Sequence, residues 1–102
     1  MTVTTAFKIF TTGQWAQFER DGVFHGAPID LADGYIHMST AEQTGETLSK
    51  HFAGQSGLVI ATIDLRLVEA DIRWEVSRGG ALFTHLYAPL MMAAVMEIHH
   101  QS

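Results

Sequence analysis

Three short stretches carry side chains able to do chemistry, and each holds them at alternate positions: Tyr35/His37/Ser39, Arg73/Glu75/Ser77 and His85/Tyr87. Successive side chains of a strand point to opposite faces, so each set shares one strand face. If the three faces meet, one pocket holds two imidazoles, a carboxylate, a guanidinium and two phenols. Several polar groups on otherwise apolar strands are costly to bury without partners. Ser39 and Thr40 stand where a helix begins, with Glu42 and Gln43 at capping-box spacing. Such a helix start adds backbone N–H groups and partial positive charge, suited to a phosphate. Gln43, opposite the apolar stripe of that helix, faces either solvent or a ligand.

Each of these residues also has a plainer reading. His37, between Ile36 and Met38, suits a hydrogen-bonded structural histidine. Arg73 and Glu75 suit a surface ion pair contributing about 0–1 kcal/mol, and Tyr87 a packed phenol with one partner. His37, His85 and Glu75 together match the two-imidazole, one-carboxylate pattern of iron or zinc sites. No His-x-x-x-His spacing accompanies them, so no metal is expected. Trp74 and the Met91/Met92/Met96 group read as core, and His25, His51, His99 and His100 as solvated.

The elements that must position these side chains follow from local signals. Phe7 to Phe10 reads as a first strand. Thr11 and Gln14 have capping-box spacing ahead of a short helix with Trp15 and Phe18 on one face, ended by Asp21-Gly22. Residues 23–34, holding Gly26, Pro28, Asp30 and Asp33-Gly34, read as a surface loop. The strand Tyr35–Met38 runs into a helix with Ala41, Gly45, Leu48 and Phe52 on its apolar stripe and Glu46 and Lys50 in water. Leu58–Ile63 is a continuous apolar run, as in a central strand covered on both sides. Asp64–Ala70 reads as a turn or single helical turn, and Ile72/Trp74/Val76 as the apolar side of a half-buried strand. Leu82–Tyr87 is extended, with Phe83, His85 and Tyr87 on one side. Met91–Ile98, apolar on both faces, reads as a last strand inside the sheet. The sum is one α+β domain over residues 1–102, with five or six strands in a mixed or mainly antiparallel sheet and two helices, both from the first half.

Composition narrows the function classes. A chain of 102 residues is one domain. It has no cysteine, which excludes a disulfide framework, a thiolate nucleophile and a zinc finger. It shows no leader pattern and no apolar run near the roughly 20 residues of a membrane span. A reducing, cytoplasmic setting is therefore expected, with no membrane role. The net charge of −5, with only six Lys and Arg, argues against nucleic acid as main partner. A small anionic metabolite is an expected ligand, with a non-catalytic module for a partner protein as the alternative.

The motifs Asp33-Gly34-Tyr35-Ile36-His37-Met38-Ser39-Thr40 with Gln43, then Arg73-Trp74-Glu75 with Ser77-Arg78, then Phe83, His85-Leu86-Tyr87 and Pro89-Leu90 resemble the bacterial and plant family called domain of unknown function 952. The resemblance spans essentially the whole chain. The family usually carries Phe in place of Tyr35 and Pro in place of Thr84. Membership implies a fold similar to the ADP-ribosyltransferases, which bind NAD in a cleft between two small sheet halves. By that likeness His37 and Ser39 resemble the His-x-Ser/Thr element holding ribose and the nicotinamide amide, and Tyr87 or Tyr35 stacks on nicotinamide. Thr40, Gln43, Arg73 and Arg78 complete the implied cofactor site. Glu75 and His85 are its implied catalytic pair, with Glu75 as the acid that stabilises an oxocarbenium-like transition state. The transferases carry their catalytic Glu near the chain end, where Glu97 stands on a core-like strand.

Overall fold

The computed structural model describes residues 3–76 and 80–101. Strand β1 (Thr5–Phe10) runs directly into a capping box, in which Gln14 N–H donates to Thr11 Oγ1 at 3.2 Å and Thr11 N–H donates to Gln14 Oε1 at 2.9 Å. Two orphan donors are thereby satisfied, and helix α1 (Thr12–Asp21) follows. Gly22 ends it with φ 73, a left-handed conformation open to glycine. Trp15 and Phe18 are buried against Phe10, with ring centroids 5.3 and 5.5 Å away, and Phe24 closes the same cluster at 4.9 Å from Phe10.

Two three-stranded antiparallel sheets form the body. One has the order β1-β4-β8, with β4 at Leu58–Asp64 and β8 at Val95–Gln101. The other has the order β3-β6-β5, with β3 at Ile36–Met38, β5 at Ile72–Val76 and β6 at Leu82–Leu86. A short pair, β2 (Val23–Phe24) and β7 (Leu90–Met91), covers the core. The large sheets meet at one isolated bridge between Phe7 and Ser39, where Phe7 N–H donates to Ser39 O at 2.7 Å and Ser39 N–H to Phe7 O at 2.9 Å. The strand row β8-β4-β1-β3-β6-β5 is thus pinned at a point and open beyond it. Ala6, Phe10, Val59, Ala61 and Ile63 from one half pack with Ile36, Met38 and Leu86 from the other.

Several expectations are corrected. Residues 23–34 are not a loop but β2 and a helix α2 (Pro28–Asp33), with proline in its first turn and Gly34 at φ 87 closing it. The described residues therefore hold three α-helices rather than two. In α3 (Ala41–His51), Leu48 and the following Phe52 are half-buried, but Ala41 and Gly45 are exposed, and Thr44 and Thr47 turn inward instead. Asp64–Ala70 contains two 3-10 turns, Leu65–Leu67 and the start of Glu69–Asp71. Met91–Ile98 is not one interior strand: β7 ends at Met91, a 3-10 turn takes Met92–Ala94, and β8 lies at a sheet edge. Met96, Ile98 and Trp74 are consequently exposed, because β8 and β5 are edge strands with neighbours on one side. His99 and His100 belong to β8, exposed as expected but within a strand. No described helix is long and apolar enough to cross a membrane.

Candidate functional site

A cavity of about 530 Å³ opens where the two sheets part. Phe7, Lys8 and Ile9 of β1 form one wall, and His37, Met38 and Ser39 of β3 the other. Phe83 and His85 of β6 extend the second wall, Pro28, Ile29 and Asp33 of α2 close one end, and Thr47, His51 and Phe52 close the other. The registers explain the line of polar groups on this face: His37 lies directly opposite His85, and His85 directly opposite Arg73. Tyr35 lies over both imidazoles, stacked on His85 at 4.0 Å between ring centroids and tilted to His37 at 4.6 Å.

A buried chain of charges stands behind His37. Asp30, 2% exposed, accepts from Lys8 Nζ at 2.9 Å, from His37 N–H at 3.0 Å and from Ala27 N–H at 2.8 Å. His37 Nδ1 is 2.6 Å from Asp30 Oδ1, and His37 Nε2 is 2.9 Å from Asp33 Oδ2. A carboxylate offers only lone pairs, so both contacts are hydrogen bonds only when both ring nitrogens carry hydrogen. Burial alone would push the Asp30 carboxyl up. The bonds from His37, the Lys8 ammonium and the Ala27 N–H outweigh it and hold Asp30 at about 2. Burial pushes Lys8 below its ordinary value, against the pull of Asp30.

The second cluster lies beside the first. Glu75 Oε1 is 2.7 Å from His85 Nδ1 and accepts from Tyr87 OH at 2.6 Å. These bonds, Tyr87's first, hold the Glu75 carboxyl below its ordinary range, and the same bond raises Tyr87. The Arg73 guanidinium lies over the Tyr87 ring at 4.9 Å instead of pairing with Glu75 as a surface couple. A carboxylate that fixes one imidazole nitrogen orients the ring and sets its tautomer, and His85 then presents its remaining nitrogen from a residue that lines the cavity.

Of the residues singled out in the sequence, Tyr35, His37, Ser39 and His85 line the cavity. Glu75, Tyr87 and Arg73 form the layer beside it. Thr40 and Gln43 are occupied in capping α3: Gln43 N–H donates to Thr40 Oγ1 at 3.3 Å and Thr40 N–H to Gln43 Oε1 at 3.0 Å, while Gln43 Nε2 donates to Leu82 O at 2.8 Å. Neither lines the cavity, and two backbone donors at the proposed phosphate position are satisfied internally. Ser77 and Arg78 lie outside the described residues. Glu97 is exposed on β8, away from the cavity lining. Among the described residues no cluster of three or more His, Cys, Asp or Glu has the arrangement of a metal site. His37, His85 and Glu75 direct their near atoms at carboxylates and ring partners instead. Lys8, Asp30 and Asp33 join the site without a local signal in the sequence; His51 is exposed, as expected, and also lines the cavity.

The family described as "Protein of unknown function (DUF952)" matches residues 9–98. The chain belongs to the DUF952 family. Among solved structures this DUF952 protein is similar to protein CC0527 from Caulobacter crescentus. Against its crystal structure the identity is 42%, the TM-score 0.90, and the match covers 94% of this chain and 84% of that one. Against its solution NMR structure the identity is 41% and the TM-score 0.84, with 95% and 84% covered. No curated protein matches this chain.

Proposed function

We propose that this DUF952 protein binds a nucleotide of the NAD or ADP-ribose kind, seating a ribose and its flat base in the split between β1 and β3. The observation that carries this reading is where the His37-Met38-Ser39 step lies: on the wall of a cavity at the gap between two sheet halves. The likeness to ADP-ribosyltransferases assigns an NAD cleft to such a gap and ribose contacts to such a step. The walls have suitable chemistry. Phe7, Phe52, Phe83 and Tyr35 supply aromatic surface for a base, and Gln14, Ser39 and Thr47 supply groups that can exchange hydrogen bonds with hydroxyls. The volume lies within the roughly 300–1,000 Å³ of small-molecule sites. Lys8 is matched by Asp30, so a pyrophosphate belongs nearer the mouth than the floor.

Binding ranks ahead of ADP-ribosyl transfer. Glu75, the acid implied for transfer, is held by His85 and Tyr87 and does not line the cavity. Its reach to a bound ribose would run through His85. Calorimetric titration with NAD and with ADP-ribose, alongside an assay for released nicotinamide, separates the two. The expected result is binding of both ligands, weakened about tenfold or more by His37→Ala or Ser39→Ala, on the scale of one lost hydrogen bond to a charged or polar group. Absence of heat with either ligand at millimolar concentration would refute the reading. Nicotinamide release abolished by Glu75→Gln would promote transfer over simple binding.

A further inference from the structure

Strand β5 pairs with β6 along one side and, among the described residues, has no ladder partner along the other. Edge strands are ordinarily guarded by proline, bulges or like charges that repel a second edge. β5 reads Ile72-Arg73-Trp74-Glu75-Val76, with no proline, an unbroken register to β6, and two charges of opposite sign. Its apolar residues are also uncovered. Trp74 is 39% exposed, Val76 68%, and Leu82, directly opposite Val76 on β6, 51%.

The order of residue types is symmetrical about Trp74. When two copies of one strand pair antiparallel, directly opposed residues share a sheet face, so the two-fold axis passes through a residue rather than between residues. An axis at Arg73 or Glu75 sets like charges against each other, which is destabilising. An axis at Trp74 sets Arg73 against the partner's Glu75, Ile72 against the partner's Val76, and the two tryptophans together. All five residues then pair, every charge meets its opposite, and the exposed apolar side chains are covered by their own kind.

We propose that a second copy of this chain docks on β5 through this register, joining the two β3-β6-β5 sheets into one of six strands. The consequence reaches the site. Directly opposed side chains have Cβ atoms about 4.5–5.5 Å apart, so the partner's Arg73 stands across from Glu75, on the face that carries His85 and Tyr87. The partner's Arg73 then adds a second guanidinium to the layer beside the cavity, opposite a Glu75 that His85 and Tyr87 already hold. The edge of β8 has a weaker version of the same symmetry about Ile98, with Glu97 facing His99, and serves as the comparison surface.

The chain has no cysteine, which makes single-cysteine crosslinking clean. Opposed residues of an antiparallel pair have Cα atoms about 4.5 or 5.5 Å apart, within the roughly 4.4–6.8 Å of disulfides. Trp74→Cys is expected to give a reducible covalent dimer of twice the 11.2 kDa chain mass, and Ile98→Cys to stay monomeric on denaturing gels. By light scattering the wild type is expected at dimer mass. Arg73→Glu should weaken the dimer about tenfold or more, and the charge swap Arg73→Glu with Glu75→Arg should restore it. Circular dichroism confirms that each variant is folded. The proposal is overturned by a wild type of monomer mass at millimolar concentration, by a dimer that Arg73→Glu leaves intact, or by crosslinking at position 98 in place of 74.

Discussion

Replacing Asp30 by Asn leaves the shape of the side chain nearly unchanged and removes the charge that four donors share. Lys8 Nζ, His37 Nδ1 and two backbone N–H groups converge on this carboxylate, whose side chain is 1% exposed. The variant strands a buried ammonium without its counter-charge, and breaking such a pair costs about 3–5 kcal/mol. That is a large share of the roughly 5–15 kcal/mol that holds a small domain folded. A second figure comes from titration. Asp30 at about 2, against an ordinary 3.8, corresponds to about 2 kcal/mol. Because the folded value lies below the unfolded one, this contribution is complete above pH of about 4 and is lost as pH falls toward 2. The shift of Lys8 has the opposite meaning: its lowered value marks the cost of burying an ammonium, so the pair as a whole stabilises less than the Asp30 figure alone. Urea unfolding at pH 7 should therefore show Asp30→Asn losing about 3–5 kcal/mol, and Asp30→Asn combined with Lys8→Met recovering most of that loss. The gap between wild type and Asp30→Asn should narrow as pH falls from about 4 toward 2. A loss below about 1 kcal/mol at pH 7, or a gap that does not close in acid, would mean that the charge network does not hold this end of the cavity.

Two further outcomes follow from other parts of the site. Among the described residues Thr84 Oγ1 is buried with no hydrogen-bond partner, so Thr84→Val should raise stability by about 1 kcal/mol, and equal or lower stability in urea melts would show that the hydroxyl is satisfied. Glu75→Gln removes the carboxylate that raises Tyr87. Ultraviolet titration should then show one tyrosine ionising at lower pH than in the wild type, and an unchanged curve would contradict the Tyr87–Glu75 bond.

The legible parts of the fold are those set by neighbours in sequence. The α1 capping box is legible because Thr11 and Gln14 need only three residues' separation to close, whereas at α3 that spacing fits Ser39 and Glu42 as well, and the structure selects Thr40 and Gln43. The alternate placing of Tyr35, His37 and Ser39, and of His85 and Tyr87, identified one wall of the cavity because strand parity is local. What escaped depends on pairing order. Met91–Ile98 looks like an interior strand because both faces are apolar, yet β8 falls at an edge and a 3-10 turn interrupts the run. Asp30 sits in a segment whose Gly, Pro and Asp content suits a surface loop. Pro28 and Gly34 are a fair helix start and stop, but six residues are too few to show a helical period. Lys8 gave no local sign of burial, since its partner lies 22 residues away. Capping also settled what spacing left open: Gln43 serves α3 and Leu82 rather than the cavity.

Amide chemical-shift mapping of the 15N-labelled protein during titration with ADP-ribose tests whether the split between β1 and β3 is a nucleotide site. Saturable shifts concentrated at Phe7–Ile9, His37–Ser39 and Phe83–His85 are expected, lost in His37→Ala. Shifts that cluster elsewhere, or none at millimolar ligand, would contradict a site there.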